Sequence, residues 1–262
     1  MNFLCRMIHG KFKNSPIGYI CKVKWIVIAI TGLFSFPSRL QAQTGSTSAL
    51  GLGINRYGVA FHYKHYAPLP DSKRLSLSDW SFEIGNVQHP REVALLNNLI
   101  NSSGVYKLEK VNYQWVFRPA WHLRSVVSTR PDRRSVGVNL VSAVGLPLAY
   151  HWPVYVTILE VDQFGNENFS TVPYNPEIHP QRVITGRAGF TNGLSTGGIT
   201  PGISLQTGLE FSWGNYRTDM NILGFGARVE AFASKLPIMF NTKLNRSVLS
   251  AFYINFAFGL GN

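Results

Sequence analysis

Several things are scarce in this 262-residue chain. Charged residues are only 15% of it, against 45% hydrophobic and 13% aromatic. Disordered chains have the opposite balance, with too little apolar surface to offset the entropy of ordering. Cysteine occurs twice, at Cys5 and Cys21. No internal repeat recurs, which excludes solenoids and propellers. No phosphate-binding loop is present, since Gly51-Leu52-Gly53 lacks the rest of any such fingerprint. Gly193-Leu194-Ser195-Thr196-Gly197 has the spacing of a nucleophile elbow, but no strand-to-helix frame surrounds it, so it reads as a glycine-rich turn. Beyond residue 43 no apolar run approaches the ~20 residues of a membrane-spanning helix.

Acid is missing from the first 42 residues, which carry Arg6, Lys11, Lys13, Lys22, Lys24 and Arg39. The apolar stretch Trp25 to Phe36 is 12 residues long, the size of a signal-peptide core. Ala42 is a small residue suited to the cleavage position, so residues 1–42 are expected to be a signal peptide and 43–262 one mature domain. Cleavage leaves 19 basic and 13 acidic residues, a net charge of +6 rather than +12. A nucleic-acid partner loses its main support. Both cysteines leave as well, which removes disulfides, cysteine-metal sites and an N-terminal lipid anchor.

What remains is alternation with a period of two. Val248, Ser250, Phe252, Ile254, Phe256 and Phe258 alternate with Leu249, Ala251, Tyr253, Asn255, Ala257 and Gly259. One face is greasy and aromatic, as lipid requires; the other is small or polar, as a narrow lumen requires. The same pattern recurs around Tyr57–Lys64, Trp80–Gly85, Tyr113–Arg118, Val136–Leu140, Val154–Leu159, Ile203–Trp213 and Leu223–Glu230. That makes eight strands, an even number as single-chain bacterial barrels have. The region Val183 to Phe190 extends this to ten if it adds a pair. Gly214 to Asp219 reads as a hairpin connection. Pro90 to Ile100 is amphipathic with proline at a helix-start position. The expected fold is an all-β, closed antiparallel transmembrane barrel in the outer membrane of a Gram-negative bacterium. A secreted β-sandwich also alternates, but would carry more charge on its outer face.

Counting from Tyr57, the connections 67–74, 126–134, 161–201 and 234–247 should share the outward side. They are rich in base: Lys73, Arg74, Arg130, Arg133, Arg134, Lys235, Lys243 and Arg246. Arg130, Arg133, Arg134, Lys243 and Arg246 are candidate lipopolysaccharide contacts, through charge-assisted bonds to phosphate; a solvated rim is the alternative.

Glu83, Arg118, Glu210, Arg228 and Glu230 fall on inward faces. In an eight-stranded barrel side chains fill the interior, so these charges must pair. The pairing reads as a salt-bridged plug, with an ion path as the alternative. His62 and His65 are three apart on a strand and point to opposite faces, which argues against zinc. No cofactor site is expected.

The segments Gly85-Asn86-Val87-Gln88-His89-Pro90-Arg91-Glu92-Val93, Thr185-Gly186-Arg187-Ala188-Gly189-Phe190-Thr191-Asn192-Gly193, Pro201 through Trp213, Val229 through Met239 and Phe252 to Asn262 carry a resemblance. With them the chain resembles the uncharacterised small outer-membrane β-barrels of the Bacteroidota. The tail departs from that pattern, ending Phe258-Gly259-Leu260-Gly261-Asn262 where the family carries basic residues. The resemblance implies an outer-membrane barrel and transfers no catalytic or binding residue. The function expected is a non-enzymatic structural or accessory role, through extracellular loops, with lipopolysaccharide or with outer-membrane or periplasmic proteins. A narrow pore for small solutes and a barrel-type hydrolase are the alternatives.

Overall fold

The computed structural model describes residues 47–68, 75–96, 105–128, 135–161, 163–180, 183–214 and 220–260; the expected signal segment lies outside them. Alternating sequence becomes extended chain throughout. The strands are β1 (Thr47–Asn55), β2 (Gly58–Tyr66), β3 (Leu75–Asn86), the short pair β4 (Ala94–Leu96) and β5 (Val105–Lys107), β6 (Asn112–Ser128), β7 (Gly137–Gly145), β8 (Leu148–Pro153), β9 (Tyr155–Val161), β10 (Glu167–Pro173), β11 (Ile184–Arg187), β12 (Gly198–Trp213), β13 (Asn221–Phe232) and β14 (Val248–Leu260). A 3-10 turn at Leu194–Thr196 follows Gly193, whose φ of 76° suits glycine. The Gly193–Gly197 segment is thus a turn, as its composition implied.

Eight strands close a ring. In order they are β1, β2, β3, β6, β7, β12, β13 and β14, and β14 returns to pair with β1, Leu52 opposite Phe256. Every pairing is antiparallel. Closure satisfies every ladder without leaving an edge, which is the condition for strands to span lipid. β7 and β8 form one stave of the wall. They hold one continuous register on β6, from Ala120 opposite Gly145 to Phe117 opposite Leu148. The stave is interrupted at Leu146–Pro147, where proline has no N–H to give. Leu146 N still donates to Pro119 O at 3.1 Å, and Pro147 O accepts from Gly202 N at 2.8 Å.

The strand number agrees with the sequence reading, but one member differs. β1 belongs to the ring and was not expected, while the expected strand Val154–Leu159 falls, from Tyr155 on, in β9, which lies outside it. Ile184–Arg187 also joins β9 rather than the wall, so no ten-stranded ring forms. The exchange flips the side of every connection between β1 and β9. The ends of β2 and β6 open at the same rim as the start of β1 and the end of β14. This first rim therefore takes the connections 67–74, 129–136 and 214–220. The second rim takes the two-residue turn Arg56–Tyr57 and the connections 87–111, 154–197 and 233–247. The four supposedly outward connections are thus split between the rims.

The outward face is apolar around the ring. Leu52, Phe61, Ile84, Val144, Leu205, Phe225, Ile254 and Phe258 are all exposed, and Phe252 is 83% exposed. On the inward face two glycines make room for one aromatic ring. A Cβ on Gly208 or Gly226 would stand 2.6 or 2.7 Å from the Tyr253 hydroxyl.

Two assemblies crown the second rim. In the first, the connection 233–247 folds over the barrel mouth. Leu236, Ile238 and Met239 bury against Val87, Val116, Ala149, Phe232 and Leu249. Asn245 clamps the Met239 backbone, accepting from its N–H at 2.9 Å and donating to its carbonyl at 2.8 Å. Val111 N donates to Ile238 O at 3.0 Å, and Phe240 N to Glu109 O at 2.8 Å. The second assembly is a lobe of β9, β10 and β11 beside the wall, with Tyr106, Tyr113, Trp152, Val156, Ile158 and Ile184 at its core. The expected helix at Pro90 to Ile100 is absent from its described part: Pro90–Arg91 is a turn and Ala94–Leu96 a strand. Strand pairing with β5 and the bond from Leu108 N to Val93 O, at 3.0 Å, hold it extended.

Candidate functional site

The lumen is filled by ion pairs in three tiers. Nearest the second rim, the Arg118 guanidinium donates Nε to Glu230 Oε1 at 2.6 Å and Nη2 to Glu230 Oε2 at 3.1 Å. Its Nη1 reaches Glu83 Oε1 at 3.2 Å. Arg228 takes Glu83 from the other side as a two-pronged fork, at 2.7 and 2.6 Å, and donates Nε to Gln206 at 2.9 Å. Two carboxylates and two guanidiniums thus form one neutral chain. Bidentate arginine pairs are the strongest of the charge-assisted bonds. The Tyr253 ring packs against Arg228, 5.4 Å from its guanidinium carbon.

The middle tier is Lys64 with Glu210, which also accepts from the Tyr66 hydroxyl at 3.3 Å. The tier nearest the first rim is Arg124 with Asp79, at 2.6 and 3.3 Å. Asp79 further accepts from Ser76 Oγ and the Ala67 N–H, and Arg124 donates to the Ala67 carbonyl. Among the described residues every charged side chain on the inward face is paired, four acids with four bases. Between them lies a polar cavity of about 30 Å³, touched by His62, His122 and Ser81, room for one or two waters.

All five charges expected in the lumen face inward and are buried or nearly so. Glu83, Arg118, Arg228 and Glu230 meet as one network, whereas Glu210 pairs with Lys64 instead. Lys64, Asp79 and Arg124 were missed as members. Lys64 sat on an inward face in the alternation and could have been found. Asp79 shares the parity of Ser81 and Glu83 but lies just before the strand start first drawn at Trp80, since β3 begins at Leu75. Arg124 lies beyond the strand end first drawn at Arg118, since β6 continues to Ser128.

His62 points inward, and His65 outward, where it stacks on Trp80 with ring centroids 5.2 Å apart. A serine–histidine hydrogen bond does exist, between Ser81 Oγ and His122 Nε2 at 2.7 Å. The other ring nitrogen of His122 has no partner among the described residues, so no acid orients this base. The adjoining cavity is also too small for a lipid or peptide.

Outside the lumen, Glu92 anchors the connection 87–111. It pairs with Lys107 and Lys110 and accepts from the His89 N–H at 2.8 Å. Burial pushes its carboxyl upward, but the two lysines outweigh burial and hold it below the ordinary glutamate range. Of the basic residues expected to meet lipopolysaccharide, Arg130, Arg133 and Arg134 lie outside the described residues, as do Lys73 and Arg74. The strands flanking the three arginines open at the first rim. Lys243 and Arg246 lie at the second rim, with Lys243 exposed, so the five do not make one ring.

No family model matches the chain, and no curated protein does. Among solved structures it is similar to the crystal structure of Neisserial surface protein A, at 10% identity and a TM-score of 0.32, covering 82% of this chain and 92% of that one. A likeness at that level adds nothing to the ring of strand pairings, on which the barrel architecture rests.

Proposed function

We propose that this chain is a sealed, non-enzymatic outer-membrane barrel of a Gram-negative bacterium that works through the connections at its second rim. The carrying observation is the contrast between its two faces: every described inward charge is paired, while the outward face is an exposed apolar band. An apolar surface of that extent is stable only against lipid or a partner. The cap of Leu236, Ile238 and Met239 supports a closed lumen. Three of the four connections at the second rim are long and those at the first are short, as on the extracellular and periplasmic sides of bacterial barrels. Lys243, Arg246 and Lys235 are then the basic residues placed to meet lipopolysaccharide phosphates. Charge reversal at these three should lower the lipopolysaccharide that co-purifies, and an unchanged amount would remove that partner.

The test of the whole reading is gel mobility of the membrane-extracted protein before and after boiling. A mobility shift, with the protein in the outer-membrane fraction, is the expected result. A soluble protein with no shift would replace the barrel with a secreted binding module. Planar-bilayer recording should show no conductance; a stable current would instead favour a narrow pore.

A further inference from the structure

The lobe at the second rim ends in an unprotected edge. Its sheet runs β10, β9, β11, and among the described residues β10 has β9 as its one strand neighbour. Natural edges are blunted by lysine, by a bulge or by a covering element. β10 reads Glu167-Asn168-Phe169-Ser170-Thr171-Val172-Pro173, without lysine or arginine. Its register on β9 runs without a bulge, and Pro173, at the last position, is its one interruption. Most of its residues are exposed.

The two faces of this edge differ. Val156 and Ile158 of β9 are buried in the lobe's core. On the opposite face Phe169 stands across from Leu159, and Glu167 across from Val161. Phe169 and Val161 are 65% and 63% exposed. Charge is one-sided as well. From Ser135 to Gln181 the sequence has no lysine or arginine, yet it carries Glu160, Asp162, Glu167 and Glu177. Glu160, Glu167 and Glu177 are exposed. A second copy of this edge would bring no lysine or arginine to meet these carboxylates, so a basic segment is the better complement.

We infer that the β10 edge is a docking strand for an extended, basic segment of a partner protein. The segment adds as a fourth strand, its backbone completing the ladder. With side chains alternating between faces, its apolar residues lie on the face of Phe169 and its lysines or arginines on the face of Asn168 and Glu160, with Glu167 at the strand end adding to the negative field. This deepens the reading above, resting on the second rim as the working surface, and names the class of protein partner.

The test uses the full protein in nonionic detergent and a labelled peptide of alternating lysine and valine, about as long as one strand. Binding should be saturable and weaken as salt rises. It should fall roughly tenfold or more for the double variant Glu160→Lys/Glu167→Lys and for Phe169→Ser. The same peptide N-methylated at alternate amides should fall by a similar factor, because it keeps its side chains but loses its ladder donors. Failure of the first peptide to bind would overturn the inference. So would equal binding of the N-methylated peptide or of an alternating glutamate–valine peptide, or dimerisation of the protein that Phe169→Ser abolishes. Unheated gel mobility of the same samples separates the two levels. A folded barrel that ignores the peptide sinks this inference alone, whereas absence of heat-modifiable mobility sinks the barrel reading itself.

Discussion

Replacing Glu83 by glutamine tests whether the lumen is held by charge neutralisation. Among the described residues Glu83 is the sole carboxylate bonded to Arg228, through two short bonds, and the second carboxylate of Arg118. In Glu83→Gln, Arg118 keeps Glu230, but Arg228 keeps Gln206 and a single neutral amide oxygen. A buried guanidinium is left without a counter-ion, which costs about 3–5 kcal/mol. That is roughly a hundredfold to several thousandfold in the folded-to-unfolded ratio. The double variant Glu83→Gln/Arg228→Gln removes both charges and leaves the Arg118–Glu230 pair intact. Since replacing a buried pair by neutral groups is often near neutral, it should recover about 2 kcal/mol or more of the single loss. The assay is urea unfolding of protein folded into detergent or lipid vesicles, followed by tryptophan fluorescence and by gel mobility without heating. The reasoning is refuted if Glu83→Gln stays within about 0.5 kcal/mol of the parent, or if the double variant is as unstable as the two single losses added together.

Three further outcomes follow from other parts of the structure. Phe252→Arg, on the outward face of β14, should cost about 2–4 kcal/mol when the barrel folds into a bilayer; a soluble sandwich would tolerate it, so the unfolding midpoint in vesicles decides. Asn245→Ala leaves the buried N–H and carbonyl of Met239 without their side-chain partners, at about 1–3 kcal/mol each. Limited proteolysis should then cut within 233–247 while the heat-modifiable shift persists. Glu92 titrates below its unfolded value near about 4.3. A depressed carboxyl contributes stability that is present above the unfolded pKa and is lost as pH falls through the folded one. Amide exchange in 105–111 should therefore accelerate below about pH 4.3, after correction for intrinsic rates, and Glu92→Gln should flatten that dependence.

Alternation alone was enough to assign faces. In β14 each of Val248, Phe252, Ile254, Phe256 and Phe258 is outward, and Leu249, Tyr253 and Ala257 are buried inward, as their spacing required. Glu83, Arg118, Glu210, Arg228 and Glu230 lie on the inward face by the same rule: a strand has two faces, and position parity determines which one a side chain takes. Parity does not say which sheet a strand joins. β1 is an alternation of Leu50, Leu52 and Ile54 with alanine and glycine, too slight on its small face to stand out. β9 alternates as clearly as a wall strand, yet it pairs with β10 and β11 and buries against the lobe. That exchange of one strand for another left the count at eight and moved the connections 67–74, 87–111 and 129–136 to the other rim. Partners were equally beyond local reading. Glu83 meets Arg228 and Lys64 meets Glu210 across the barrel, about 145 residues apart in sequence. Only the closed ring brings them together, because burial in a narrow lumen makes each charge take whichever opposite charge the register sets across from it.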